Sequence, residues 1–220
     1  MKQKRVAPDG SCLFTSIDYL VTGEERATAG IELRNVCVEA ILNNPTKYTM
    51  DLLGEGKSTA EYCEWLQRLD VYGGGNEIDI LAKHFNVAIW VFACIPFIPA
   101  SIFAKYEPTD RSSRGAIFIL YNGQHYDAVE GESGERLFKG GDVERQSYEA
   151  LTLARCIKEE RELELRTRAR KKLKCSCGII CNDAEVWQSH CQTSHAEDDD
   201  FDFCCDEVSV EEIVDNPTDD

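Results

Sequence analysis

No apolar run in this chain approaches the length of a membrane span, and the opening residues Met1-Lys2-Gln3-Lys4-Arg5 lead straight into the turn at Pro8-Asp9-Gly10 with no apolar core of a secretory leader after them. Neither a membrane protein nor a secreted one is expected. Positive charge is scarce as well: 24 Lys and Arg stand against 40 Asp and Glu, for a net charge of −16. General affinity for nucleic acid rests on a surplus of Lys and Arg, so none is expected here. Histidine is rarer still. His84, His125, His190 and His195 are the four in the chain, and any chemistry that needs an imidazole must use one of them. Cysteine is plentiful by contrast, with eleven. Without a leader, they predict reduced thiols or metal ligands rather than disulfides, and a place in the cytoplasm or nucleus.

The charge is unevenly spread. The 25 residues after His195 hold twelve acidic side chains and no Lys or Arg. Without those twelve the chain would carry about −4, so the body is only mildly acidic. The length of 220 residues suffices for one well-buried domain with a small appendage.

Pro8-Asp9-Gly10-Ser11-Cys12-Leu13-Phe14 is the stretch with the most chemistry in it. Leu13, Ile17, Leu20 and Val21 recur at i, i+4, i+7 and i+8, which predicts a helix from about Cys12 to Val21, ended by Thr22-Gly23. Cys12 then lies in the first turn. Unpaired amides and the positive end of the helix dipole there favour a thiolate. Gly10 lets the preceding backbone bend so that amides near positions 9 to 12 converge on one spot, ready to receive an oxyanion. The same pattern also describes a buried cysteine that begins a helix. A base decides between the two.

His125 is the candidate base. It follows the strand-like run Ala116 to Tyr121 and the turn Asn122-Gly123-Gln124, and it begins a second strand through Val129. Residues two apart on a strand share a face, which sets Asp127 beside His125 to orient the imidazole. Thiol, imidazole and carboxylate make the generalised triad of a cysteine hydrolase. His84, on the polar side of an amphipathic helix, reads as a solvated residue.

The remaining pattern predicts a short strand at residues 4 to 8. Helices carry Leu33, Val36, Cys37, Ala40 and Ile41, then Tyr62, Trp65, Leu66 and Leu69, inward. Cys37 and Cys63 read as packing residues. After the sharp loop Tyr72-Gly73-Gly74-Gly75, Asn76 is expected to cap a helix with Ile78, Leu81, Ala82 and Phe85 on one stripe. Val87 to Ala93 is apolar throughout and predicts a central strand. Residues 95 to 114 read as a long loop with an irregular strand near 102 to 106, and this loop and the glycine loop are placed to line a cleft. Residues 142 to 174 read as a long charged helix with Tyr148, Leu151, Ala154 and Ile157 packed.

Cys175, Cys177, Cys181, His190 and His195 fall within 21 residues. Twelve residues separate Cys177 from His190, and four separate His190 from His195, intervals of a structural zinc site with two Cys and two His. The fourth ligand is Cys175 or Cys181. A segment this small buries too little to fold alone, so Zn2+ would supply most of its folding energy. Cys191, Cys204 and Cys205 read as bystanders.

Asp9-Gly10-Ser11-Cys12-Leu13-Phe14, then Tyr72-Gly73-Gly74-Gly75-Asn76-Glu77-Ile78, then Tyr121-Asn122-Gly123-Gln124-His125-Tyr126-Asp127 together resemble the ovarian-tumour (OTU) family of deubiquitinating cysteine proteases. The finger narrows the resemblance to the subfamily that works with a hexameric AAA segregase. The resemblance implies an α+β, papain-like fold: a small central sheet between helical layers, with Cys12 on a helix and His125 on a facing strand. A long helix and a small zinc finger follow. The expected boundaries are 1–131 for the protease domain, 132–173 for the connection and linker helix, 174–196 for the finger, and 197–220 for a largely disordered acidic tail.

The implied reaction is thiol-dependent hydrolysis of the isopeptide bond at the C-terminal glycine of ubiquitin. Cys12 is then the nucleophile, His125 the general base and acid, and Asp127 its orienting partner. Asp9 matches the family's motif aspartate and would shape the oxyanion turn. The subfamily's finger has both cysteines ahead of the longer spacer, which favours Cys175, Cys177, His190 and His195 as zinc ligands, with Cys181 the alternative. Ubiquitin and polyubiquitin chains are the implied partners, and a monomer is expected. The subfamily's N-terminal ubiquitin-like domain has no counterpart in this sequence, so the segregase link is not carried over. Two other readings share these residues: a non-catalytic ubiquitin-binding adaptor, and a cysteine hydrolase for another ubiquitin-like modifier.

Overall fold

A computed structural model describes residues 1–54, 56–109, 113–175, 179–181 and 205–209. The chain divides into two compact units, Met1–Glu159 and Glu160–Asp220. The first unit is built on a five-stranded mixed sheet of order β1-β5-β4-β2-β3. Strands β2 (Ala88–Ala93) and β4 (Ala116–Tyr121) run parallel. Strand β3 (Ser101–Tyr106) is antiparallel to β2, and β5 (Tyr126–Glu130) lies antiparallel between β4 and β1 (Lys2–Lys4).

The near-continuous apolar sequence of β2 and β4 has a direct cause: helices cover both faces of the sheet. Ile89, Val91, Ile117, Ile119 and Ala128 pack with helices α1 (Cys12–Thr22), α2 (Ala29–Leu42), α4 (Thr59–Leu66) and α5 (Gly75–Phe85). Ala88, Trp90, Phe92, Phe118, Leu120 and Val129 face the other way, onto Phe138 and onto Ala150 and Ala154 of α6 (Asp142–Arg170). This is the α+β class expected, with Cys12 opening a helix and His125 immediately before a strand that faces it.

Several local expectations change. The first strand is Lys2–Lys4, not residues 4 to 8; Val6 instead turns its amide to the Asp127 carboxylate. The connection after α2 contains a further short helix, α3 (Met50–Leu53). Asn76 lies inside α5, whose cap is Gly74; buried Glu77 reaches back to the Gly74 amide at 2.7 Å and supplies the capping contact. Leu69 and Tyr148 are exposed rather than packed, because α4 ends at Leu66 and the buried side of α6 runs through Ser147, Ala150 and Ala154. Cys37 and Cys63 are buried, and His84 is exposed, as expected.

In the second unit α6 ends at Arg170, four residues before the expected end, and β6 (Lys171–Cys175) follows. It is the middle strand of a small antiparallel sheet between β7 (Ile180–Cys181) and β8 (Cys205–Ser209). Strand β8 lies within the segment expected to be largely disordered. The register sets Cys175 opposite Cys205, and Leu173 opposite Cys181. Cys177, His190 and His195, expected zinc ligands, lie outside the described residues. Among the described residues no helix is long and apolar enough to cross a membrane.

Candidate active site

The turn before α1 is fixed by its own aspartate. Asp9 Oδ1 accepts from the Ser11 amide at 2.8 Å, and the Asp9 carbonyl accepts from the Cys12 amide at 3.3 Å. The Asp9 side chain thus closes the turn from within. The glycine acts otherwise than expected. No positive φ is needed at position 10. Instead, a Cβ there would stand 2.2 Å from the Leu69 carbonyl oxygen, so the turn is pressed against the backbone of Leu69 and Asp70. Ser11 makes no capping bond to α1; its hydroxyl sits against Gly30 of α2.

Cys12 is 1% exposed. Burial is the largest influence on its thiol and pushes the pKa up; the Asp9 and Asp127 charges add to that rise. The backbone amides of Tyr126 and Leu13 pull the other way and are outweighed. The influence of the helix terminus on this thiol is therefore opposed by its loss of solvent.

Strand β5 brings the base to this point. The Ser16 hydroxyl of α1 donates to the Tyr126 carbonyl at 3.2 Å, tying the helix to the residue next to His125. A tight turn sets up His125: Asn122 Oδ1 accepts from the Gln124 and His125 amides at 3.0 and 2.9 Å. The imidazole Nε2 lies 3.0 Å from Asp127 Oδ1. With Nε2 engaged by a carboxylate, Nδ1 is the nitrogen left to exchange a proton. Asp127 is itself held: Gln3 Nε2 donates to its Oδ2 at 2.7 Å and the Val6 amide to its Oδ1 at 2.9 Å. His125 and Asp127 are thus paired on the strand tied to the Cys12 helix, and the charges of Asp9 and Asp127 both reach the Cys12 thiol. The glycine loop adjoins this helix, since a Cβ on Gly73 would meet Leu13 and Phe14 at 2.9 and 2.8 Å.

The profile of the OTU-like cysteine protease family matches residues 7–127, from just before the turn to the partner of His125. The chain belongs to the OTU family. This OTU domain is 31% identical over 152 residues to the ubiquitin thioesterase OTU1 of Danio rerio, across 66% of this chain and 45% of that protein. Over 129 residues it is 35% identical to the OTU1 of Xenopus laevis, across 58% of this chain and 40% of that protein. The chain therefore spans less than half the length of these curated relatives. Among solved structures, an ovarian-tumour domain in complex with ubiquitin superposes with a TM-score of 0.63 at 26% identity, across 73% of this chain and 88% of that one. The papain-like arrangement of the OTU fold is the one seen here.

Sequence reasoning missed the groups that hold the site. Gln3 and the Val6 amide carry no motif. Arg34 did leave a signal: with Val38 and Ile41 it falls at i, i+4 and i+7, a charge inside an apolar stripe. It is fully buried behind the turn. Among the described residues no group of three or more metal-binding side chains forms.

Proposed function

We propose that this OTU domain is a deubiquitinating thiol hydrolase that cleaves the isopeptide bond after the C-terminal glycine of ubiquitin. The observation that carries this reading is the 3.0 Å His125–Asp127 pair on the strand tied to the helix of buried Cys12, inside the family-matched segment. The ubiquitin thioesterase relatives, and the related domain solved with ubiquitin, support the choice of substrate.

In the reaction His125 Nδ1 takes the Cys12 proton as Sγ attacks the glycine carbonyl. Amides of the Asp9–Cys12 turn donate to the tetrahedral oxyanion. The carbon–nitrogen bond then breaks, and the proton on Nδ1 passes to the departing lysine amine. Water, losing a proton to the same nitrogen, attacks the thioester carbonyl; the carbon–sulfur bond breaks, Sγ takes the proton back from Nδ1, and ubiquitin leaves with a free C-terminal carboxyl group. Asp127 keeps Nε2 protonated and the ring in place throughout.

The test is ubiquitin carrying a thiol-reactive group at its C-terminus, mixed with wild type and with Cys12→Ala and weighed intact. A single-ubiquitin adduct on wild type alone is expected. Equal cleavage of a ubiquitin chain by both proteins would sink the assignment.

For the second unit we propose a structural zinc finger with Cys175, Cys177, His190 and His195 as ligands and Cys181 as the alternative fourth. Two thiolates and two imidazoles are the donor set that zinc prefers, and the spacing supports it. One zinc per chain, lost in His195→Ala, is the expected metal content.

A further inference from the structure

Arg34 is buried at 1% exposure, yet among the described residues no carboxylate bonds its guanidinium. Its partners are the backbone carbonyls of Gly10 at 2.8 Å, Val71 at 2.7 Å and Leu66 at 3.0 Å, with the Ser11 hydroxyl farther off at 3.5 Å. The guanidinium also lies 4.4 Å from the centre of the Phe14 ring. A charge placed out of water without an opposite charge is costly, and three carbonyl bonds offset only part of that cost. The bonds join the Cys12 turn to the segment that leads into the glycine loop.

The Gly10 bond has a specific consequence. A trans peptide points its C=O and the next N–H in opposite directions. The Gly10 carbonyl faces Arg34, so the Ser11 N–H faces Asp9 Oδ1, where it is bonded at 2.8 Å. Rotation of this one peptide would bring the carbonyl oxygen round among the turn amides and set a negative atom where an oxyanion must bind. A glycine resists such rotation least. Position 10 has to be glycine all the same, because the Leu69 carbonyl leaves no space for a Cβ.

We propose that Arg34 is a positioning residue for the reaction: by holding the Gly10 and Val71 carbonyls it fixes the Gly10–Ser11 peptide and keeps the oxyanion site of the turn open. The inference rests on Cys12 acting on ubiquitin as described above. Two ubiquitin probes separate its effects. One carries a fluorogenic amide, whose hydrolysis passes through an oxyanion. The other ends in a propargylamide: Sγ adds to the internal alkyne carbon, the thiol proton ends on the terminal carbon, and no oxyanion forms.

In Arg34→Met, kcat on the amide should fall about 100-fold with KM little changed, while labelling by the alkyne continues at near the wild-type rate. Arg34→Lys, which retains a donor, should recover part of kcat. Near-UV circular dichroism reports folding. If Arg34→Met does not fold, Arg34→Lys carries the test, with a fall of about tenfold in kcat and preserved labelling. Parallel loss of both reactions in a folded variant, or unimpaired hydrolysis, would overturn the positioning role. A wild type that labels with neither probe overturns the deubiquitinase reading itself.

Discussion

The two faces of the five-stranded sheet are packed by different means. On one, α6 lays Ala150 and Ala154 over Phe118, Phe92 and Trp90, and Phe118 stacks on Phe138 at 4.7 Å between ring centres. Among the described residues the one buried polar side chain that α6 contributes is Ser147. On the other face the helices bury Ser16, Asp18, Arg34 and Glu77, each bonded to backbone or to another side chain. Tyr62 donates to Glu77 at 2.7 Å, and Arg26 pairs with Asp18. Apolar packing is enough to stabilise a sheet face. Buried polar groups cost desolvation, and on the second face they hold loops and turns in set positions at the end of the sheet where Cys12 lies.

Substitutions on the two sides should therefore read out differently. The largest effect is expected for Asp127→Ala. Losing the carboxylate that engages Nε2 should lower kcat about 100-fold without abolishing turnover, measured on a ubiquitin amide with the fold monitored in parallel. Phe118→Ala, in the apolar layer, should cost about 3–5 kcal/mol in denaturant unfolding and leave kcat per folded molecule unchanged. A large kcat change there would break the distinction. Gly10→Ala should do both: the new Cβ meets the Leu69 carbonyl, at about 1–3 kcal/mol, and kcat falls because the turn shifts.

Alkaline pH should instead act on the two faces alike. Burial pushes the Cys94 thiol, in the α6 layer, from 9.0 up to about 11, and raises the Cys37 thiol on α2 well above its ordinary value. Above pH 9 the unfolded chain loses these protons while the folded one keeps them. Stability should thus fall as pH rises, by about 1 kcal/mol per thiol at pH 10. Unfolding titrations of Cys37→Ala and Cys94→Ala at pH 8 and 10 check this: each variant should show a shallower loss than wild type.

Much of the site was legible because its chemistry is local. The Asp9–Cys12 turn, the α1 periodicity and the His125-x-Asp127 spacing are each set by a few neighbouring residues and by backbone periods of 3.6 and 2. The central strand β2 was legible for the same reason. Two readings failed where the deciding atoms come from far along the chain. Gly10 looked like a conformational hinge but is a matter of space, set by Leu69. Cys12 looked like a thiol whose pKa a helix terminus lowers, but burial of helix α1 against β5 pushes it up.

The sequence by itself determined which residues could react and on which elements they sit, since hydrogen-bonding capacity, side-chain period and turn preference are properties of short segments. The tertiary structure alone decided that Gln3 and the Val6 amide hold Asp127, that Arg34 grips the Gly10 carbonyl, and that burial pushes the Cys12 thiol up. Solvent exclusion and contacts across more than twenty residues of chain exist only once the helices have closed over the sheet.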